Sequence, residues 1–253
     1  MGRLARKIRL ILMPILFFAA IIILWEFAVD AFNIQSFVLP KPSAIGAILV
    51  RKSDMYVTHT IVTLREALGG LAIGTMAGIG AAVGIFSFKP MRETLYPILI
   101  SLNTLPKSAV APLLILWFGA GTFATLLVVV LITFFPILIN TLAGLGAVEP
   151  ELIELASSLK ATRTQIISKI RLPSSLPYFF AGFKVALTLS FIGAVIGEYV
   201  GSDMGLGYLT IISLAQMNTE QIFGTLVILA SMGLAFYGLV EFLDRRVIYW
   251  RAK

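Results

Sequence analysis

The sequence predicts an all-α, polytopic membrane protein with about six transmembrane helices. Of its 253 residues, 58% are hydrophobic and only 13% are charged, whereas about a quarter of an ordinary soluble domain is charged. The mean hydropathy is +0.96, and the apolar residues form runs of roughly 20 residues, enough to cross about 30 Å of hydrocarbon. Because backbone groups in lipid must be paired internally and no alternating barrel pattern is present, helices are expected.

The candidate spans are 10–29, 60–86, 94–118, 122–143, 176–198 and 221–243. They divide the chain into an N-terminal span with an outer linker (1–59), a core (60–243) that includes a polar segment at 149–173, and a C-terminal tail (244–253). The first run follows basic residues, as a signal peptide does. It lacks a clear small-residue cleavage site, so we expect an uncleaved membrane helix.

The basic residues predict the orientation. With six spans, one side of the membrane receives Arg3, Arg6, Lys7, Arg9, Lys89, Arg92, Lys160, Arg163, Lys169, Arg171, Arg245, Arg246, Arg251 and Lys253. Only Lys41, Arg51 and Lys52 fall on the other side. The positive-inside rule therefore places both termini in the cytoplasm, with the spans in the cytoplasmic (inner) membrane. Because the net charge of +7 is distributed among span ends, it does not indicate a nucleic-acid partner.

The outer linker carries the first short helix. Two prolines begin Leu39–Asp54, and Ser43 is positioned to cap a helix that lies along the outer face. Glu26, Arg65 and Glu66 fall in the outer halves of the first two spans, where we expect them to pair with one another.

Small residues mark one face of the second span. Gly70, Gly74 and Gly78 recur at four-residue spacing, which lets helix backbones approach closely in lipid. This stripe predicts either packing within the subunit or a subunit interface.

The third span contains Pro97, Pro106 and Pro112. Because proline removes a backbone hydrogen bond, three prolines in one run predict a broken or kinked helix. Such backbone is tolerated where it is buried or faces a water-filled path. An intramembrane charge such as Lys107 is a functional candidate. The alternative explanations are that the Lys107 side chain snorkels to an interface or that it pairs with a carbonyl at the break. Pro106, Lys107 and Pro112 are thus candidate residues of a translocation path.

Catalytic and metal-binding patterns are absent from the sequence. It has no cysteine and a single histidine, His59, without a local acidic cluster, so we expect no disulfide, metal or cofactor. No paired carboxylates or Ser/His arrangement indicates an enzyme. In the fifth span, Lys184 is expected to snorkel to the inner surface and Glu198 to meet water at the outer end.

The polar segment 149–173 lies between the fourth and fifth spans. Glu149–Glu151 contains a proline and two acids, which is typical of a helix start. The apolar face of this helix comprises Leu152, Leu155, Ala156 and Leu159. Thr162 and Gln165 match a capping box that begins a second helix, which Pro173 ends. We expect two short helices at an angle, apolar toward the membrane domain and charged toward the cytoplasm.

Residues of this segment follow a known spacing. They are Glu154, Leu155, Ala156, Lys160, Ile170, Leu172 and Pro173. This spacing resembles that of the EAA loop of ABC-importer permeases, in which Glu-Ala-Ala is followed at fixed distances by Gly, Ile and Leu-Pro. Leu155 replaces an alanine and Lys160 replaces the glycine. A lysine there must either accept a left-handed conformation, at a cost of roughly 1 kcal/mol or more, or turn differently.

The resemblance extends over residues 39–243. Further matching stretches are Ala111–Leu113, Leu116–Gly119, Phe135-Pro136, Asn140-Thr141, Gly144-Leu145, Pro177, Gly182, Lys184 and Gly205–Gly207. Together they are similar to permeases of the nitrate/sulfonate/taurine type.

The resemblance implies the type I ABC-importer permease fold and a set of partners. These are a second permease copy, as in a homodimer, a cytoplasmic ABC ATPase dimer, an external solute-binding protein and membrane lipid. The residues expected to couple to the ATPase are Glu154, Ala156, Leu159, Lys160, Ile170, Leu172 and Pro173. The chain has no phosphate-binding loop of the Gly-x4-Gly-Lys-Ser/Thr type, so it is not itself the ATPase.

Two rival functions stay open at this point. A secondary transporter or channel that acts without an ATPase needs coupling charges near the midplane in related halves. Lys107 is the one strong candidate for such a charge, and no internal repeat is evident. The second rival is a membrane scaffold without transport activity, a function that does not require a kinked third span. The resemblance implies a small organic or inorganic anion or a vitamin precursor as substrate, selected largely by the solute-binding protein.

Overall fold

The computed structural model describes residues 2–248, apart from the side chains of residues 2–11 and 89. The tail beyond residue 248 and the basic side chains of the N-terminal group and Lys89 lie outside the described residues. The helices are α1 (Gly2–Ala31), α2 (Pro42–Arg51), α3 (Ser53–Ser87), α4 (Lys89–Asn103), α5 (Lys107–Phe118), α6 (Thr122–Gly146), α7 (Pro150–Ser158), α8 (Arg163–Ile166), a π-helical turn (Ile167–Arg171), α9 (Leu172–Gly201), α10 (Leu206–Ala215) and α11 (Thr219–Val247).

The predicted all-α membrane architecture is confirmed. Five helical stretches in the described part of the chain are long and apolar enough to span a bilayer: Leu12–Ala31, Ser53–Ser87, Thr122–Gly146, Arg163–Gly201 and Thr219–Val247. A sixth candidate is the pair Pro90–Asn103 and Lys107–Phe118, which is bent by 93°.

The third predicted span is broken at one proline rather than three. The break is at Pro106, the N-cap of α5, because proline supplies no backbone N–H and disfavours helical backbone in the residue before it. Pro97 lies within α4 and Pro112 within α5. The Ser101 hydroxyl donates a 3.0 Å hydrogen bond to the Pro97 carbonyl.

The described chain divides into two compact units. One consists of Met1–Thr58 and Leu209–Ile228, and the other of His59–Tyr208 and Leu229–Lys253.

Polar contacts in the first unit differ from those predicted. Ser43 does not cap α2; its backbone N–H and hydroxyl donate to the Glu26 carboxylate at 2.9 and 2.6 Å. Glu26 is therefore occupied by Ser43 instead of Arg65. Lys41 forms an ion pair with Asp30, and this hydrogen bond raises the pKa of Lys41.

In the second unit, α3 approaches α6 through the glycine stripe. A Cβ atom at Gly74 would lie 2.2 Å from Thr133 Oγ1, and one at Gly78 would lie 2.9 Å from Ile137 Cβ. Gly70 meets α6 equally closely. Of the two readings of this stripe, packing within the subunit is therefore the correct one.

The other side of α6 packs against α9 in the same manner. A Cβ atom at Gly182 would lie 2.7 Å from both Asn140 Cβ and the Pro136 carbonyl oxygen, and one at Gly197 would lie 2.7 Å from Thr125 Cγ2. Half of the most apolar part of α6 is buried, more than in any other candidate span. The core of this unit is thus α6, held between α3 and α9.

Lys184 on α9 is paired with acidic side chains. Its ammonium group forms ion pairs with Glu241 and with Asp244, the latter at 2.5 Å. Both acids lie on α11, so their charges compensate the lysine within the second unit.

We predict that Gly74→Ala destabilises the protein by about 1–3 kcal/mol, because the added methyl group overpacks the contact between α3 and α6. Thr133 Oγ1, the atom in the way, donates to the Val129 carbonyl at 2.8 Å, so it cannot rotate away without losing that bond. Thermal unfolding of the purified protein in detergent measures the effect. Gly80→Ala is the matched control, since nothing lies within 4 Å of its Cβ position; equal unfolding temperatures for the two variants would contradict the close contact.

Candidate functional site

The polar segment turns sharply at Lys160. Lys160 has a φ of 57°, so of the two alternatives it adopts the left-handed conformation. The Lys160 N–H donates to the Ser157 carbonyl at 2.9 Å, and the Ala161 N–H donates to the Ala156 carbonyl at 3.0 Å. These two bonds satisfy the last carbonyls of α7 in a Schellman motif, a position that normally favours glycine.

The predicted capping box starts the next helix. The Thr162 side chain accepts from the Gln165 N–H at 3.3 Å, and the Gln165 side chain accepts from the Thr162 N–H at 2.8 Å.

The prediction that Pro173 ends this second helix is wrong. From Arg163 the chain continues through the π-helical turn into α9, and Pro173 lies in the first turn of α9. A π-helical turn shifts the backbone hydrogen bonds by one residue, and a proline at a helix start needs no N–H partner. The polar segment is therefore joined rigidly to the fifth span.

The apolar face of α7 does not pack onto the membrane domain as predicted. Leu152, Leu155 and Leu159 are 44%, 58% and 76% exposed, whereas Ala156 is buried. Glu154 is also exposed. Exposed leucines beside a carboxylate, on a helix outside the spans, are typical of a protein-binding surface.

Arg171 anchors the polar segment to the end of α6. Its guanidinium donates a 2.6 Å hydrogen bond to the Leu145 carbonyl and lies 4.9 Å from the centre of the Phe86 ring. Leu172 packs against the buried cluster that includes Leu145, and Ile170 is half-buried. Sequence reasoning missed Arg171, although a cation beside the Ile-x-Leu-Pro match was the available signal.

The break between α4 and α5 contains Lys107, one of the candidate path residues. Its ammonium group donates to the Asn103 carbonyl oxygen and, at 2.8 Å, to Asn103 Oδ1. It also lies 5.3 Å from the centre of the Phe135 ring. The alternative in which Lys107 pairs with a carbonyl at the break is therefore present, and Pro106 and Pro112 flank it on α5.

A buried acid pair lies where water was expected. Glu198 is 1% exposed and Glu66 is fully buried, so the predicted solvation of Glu198 and the pairing of Glu66 with Arg65 or Glu26 are both wrong. The Glu66 carboxyl group lies against Glu198 and against Thr122. Thr122 begins α6, so the pair lies beside a helix N-terminus.

The acid pair holds the loop between α9 and α10. The Gly207 N–H donates to Glu198 Oε2 at 2.5 Å, the Gly205 N–H to His59 Nδ1 at 3.0 Å, and the Leu206 N–H to Thr63 Oγ1 at 2.8 Å. Gly205 has a φ of 106°, and a Cβ atom there would lie 2.2 Å from Glu198 Cδ. Only glycine fits that position, which explains the Gly-Leu-Gly stretch.

Comparison with known proteins identifies related chains. Residues 70–249 match the family model described as "Binding-protein-dependent transport system inner membrane component". A probable ABC transporter permease protein of Haemophilus influenzae is 34% identical over 96% of this chain and 99% of that protein. A riboflavin transport system permease protein of Chloroflexus aurantiacus is 35% identical over 92% of this chain and 87% of that protein.

The predicted resemblance to the nitrate/sulfonate/taurine type is also confirmed. A putative aliphatic sulfonates transport permease protein of Bacillus subtilis is 34% identical over 92% of this chain and 85% of that protein. Among solved structures, the methionine ABC transporter MetNI in an inward-facing conformation matches with a TM-score of 0.67 at 20% identity. That match covers 80% of this chain and 99% of that one, and it supports the fold.

We predict that Lys160→Gly stabilises the protein by about 1 kcal/mol, because glycine adopts the left-handed conformation without steric cost. Lys169→Gly is the matched control: Lys169 lies in the π-helical turn, where glycine should destabilise by a similar amount. Thermal unfolding measures both variants, and a lower unfolding temperature for Lys160→Gly would contradict the strain.

We also predict that Glu198→Ala releases the Gly205–Gly207 loop, whereas Glu198→Gln keeps it in place. Glutamine retains an oxygen that accepts from the Gly207 N–H, and no side chain in the described part of the chain forms an ion pair that needs the Glu198 charge. Loss of the contact should speed amide hydrogen exchange of the loop by about ten- to a hundredfold. Equal amide hydrogen exchange of the loop in Glu198→Ala and Glu198→Gln would contradict the role of Glu198 in holding the loop.

Proposed function

The chain belongs to the family of inner-membrane components of binding-protein-dependent transport systems, and from this premise we propose that it is the transmembrane subunit of an ATP-driven importer. It forms the translocation path for a small solute and couples that path to a cytoplasmic ABC ATPase dimer through the polar segment. The observation that carries this proposal is the exposed face of α7, with Glu154 beside Leu155 and Leu159.

The exposed face of α7 is the docking surface for the ATPase. Leu155 and Leu159 supply apolar contact and Glu154 supplies a carboxylate for a basic or amide donor. Ala156, which is buried, supports the helix from behind and does not itself touch the partner. The residues expected to couple to the ATPase therefore form two groups. The contact group touches the partner, and the supporting group includes Ala156, Ile170, Leu172 and Pro173.

The supporting group transmits movement into the membrane. Ile170, Leu172 and Pro173 lie on the uninterrupted helical stretch from Arg163 to Gly201, so a pull on the polar segment acts directly on α9. Arg171 ties the same stretch to the Leu145 carbonyl at the end of α6. ATP must favour one orientation of these helices through contacts that differ between the two states.

A second copy of this chain completes the path. On one face of α5, Leu116 is 77% exposed and Trp117 is 66% exposed. Ala111, on the opposite side of this helix, packs against α6. The break at Pro106 sets this face at the edge of the unit, with Lys107 at its start and Pro112 within α5. The positive charge of Lys107 suits an anionic solute.

The solute is small and is delivered by an external solute-binding protein. Relatives of nearly equal identity are named for riboflavin and for aliphatic sulfonates. Permeases of such similar sequence accompany different solutes, which supports selection by the binding protein rather than by the path.

We predict that Glu154→Lys abolishes stable association with the ATPase. Reversing the charge of this exposed acid should weaken binding by at least about tenfold, corresponding to one charge-assisted contact. Because Glu154 is exposed, thermal stability should not change. Co-purification of the ATPase with the tagged permease measures association, and solute uptake into proteoliposomes measures coupling.

Glu151→Lys is the matched control, since Glu151 is also an exposed acid on α7. An equal loss in both variants would show that the segment's general charge, not Glu154, binds the partner. Uptake at full rate by the permease alone, driven by an ion gradient without the ATPase, would overturn the importer and support a secondary transporter.

A further inference from the structure

Two arginines converge on one aromatic ring at the end of the spans. The guanidinium carbon of Arg92 lies 5.1 Å and that of Arg171 lies 4.9 Å from the centre of the Phe86 ring. Arg92 belongs to the first turn of α4, Arg171 to the π-helical turn, and Phe86 to the last turn of α3. These three elements therefore bring two positive charges to the same aromatic ring.

The positive charge of Arg92 is not neutralised by a neighbouring side chain. In the part of the chain that the structure describes, the Arg92 side chain forms neither an ion pair nor a hydrogen bond, and the Arg171 side chain donates only to the Leu145 carbonyl. Two like charges this close repel each other, and a ring contact compensates only part of that cost. The arrangement favours an anion.

A cavity of about 490 Å³ opens beside Arg92, between the first turns of α4 and the end of α6. Its wall is mixed: Arg92 and Glu93 supply charge, Tyr96 a phenol, and Pro97 and Leu142 apolar surface. Arg92 and Glu93 give the wall itself no net charge, and Arg171, which contacts the same Phe86 ring but is not part of the wall, adds one positive charge near it. A ligand that fits such a wall is itself amphipathic, with an anionic group beside an apolar part.

Helix ends surround the cavity, which is where lipid headgroups are expected. Near Phe86 and Arg92, α3 ends at Ser87 and α4 begins at Lys89, while α6 ends at Gly146 just before the polar segment. Gly146 lines the cavity, and its Cβ position lies 3.8 Å from an Arg92 guanidinium nitrogen. Basic pockets between transmembrane helices at this depth suit anionic phospholipids.

We propose that this cavity binds the phosphodiester headgroup of an anionic phospholipid, with Arg92 as its principal ligand and Arg171 as the second cation. The bound phosphate offsets the repulsion between the two arginines, and the lipid chains lie along Pro97 and Leu142. Because Arg171 also anchors the polar segment to α6, the lipid stabilises the segment in its observed position.

The test compares the wild-type protein and Arg92→Gln in nanodiscs made of phosphatidylcholine with or without phosphatidylglycerol. Phosphatidylglycerol should raise the thermal unfolding temperature of the wild type, and native mass spectrometry should show retained phosphatidylglycerol. Arg92→Gln should weaken that retention by about fivefold, as expected for one arginine near a membrane surface. Arg163→Gln, which removes an exposed arginine of the polar segment, should leave it unchanged.

Retention of phosphatidylglycerol by Arg92→Gln at the wild-type level would overturn the proposal. So would an equal loss in Arg163→Gln, because it would indicate a general attraction between the basic surface and the lipid. A third arm adds inorganic phosphate to the detergent-solubilised protein. Stabilisation of the wild type by phosphate as large as that by phosphatidylglycerol would assign the site to a free oxyanion instead of a lipid.

Discussion

The close approach of α3 and α9 to α6 is the constraint on which the rest of the second unit depends. Without a hydrophobic driving force between helices in lipid, association relies on packing, and packing is tightest where small residues let backbones meet. Gly74 and Gly78 on α3 and Gly182 and Gly197 on α9 provide those positions. The close contacts of α6 with α3 and α9 therefore depend on residues that have no side chain.

This packing decides what each end of the unit can do. At the end of α6 near Leu145, it brings α9 close enough for Arg171 to reach a carbonyl of α6 and for Phe86 of α3 to lie beneath both nearby arginines. At the start of α6, it encloses Glu66 and Glu198 and fixes the Gly205–Gly207 loop. The polar segment and the loop are thus attached to the same three helices at opposite ends of α6.

The two ends of the polar segment differ in rigidity, in a way that suits coupling between a partner and α9. The polar segment continues into α9 without a hinge, whereas its other side turns at a strained lysine, Lys160. Strain of this kind persists where the surroundings enforce it and is common in segments that bind or move. A partner that binds α7 would act on α9 through the turn at Lys160 and then through the continuous helix that begins at Arg163.

The sequence by itself determined the features that depend on near neighbours in the chain. The apolar runs, the capping box at Thr162 and Gln165, the break at Pro106 and the position of the left-handed turn at Lys160 are set by hydropathy and backbone geometry within a few residues. The coupling role of the polar segment is implied by its resemblance to the EAA loop and stays a prediction. The glycine stripe was evident too, although its partner helix was not.

Only the tertiary structure decided which distant groups meet. His59 and Gly205 are 146 residues apart in sequence, and Lys184 finds its two acids on α11. No local pattern distinguishes a solvated glutamate at a helix end from Glu198, which is buried against Glu66. The physical reason is that a polar side chain in a membrane protein takes whichever partner the packed helices bring near it. Which helices are neighbours is settled by the fit of their surfaces, a property that is spread over the whole chain.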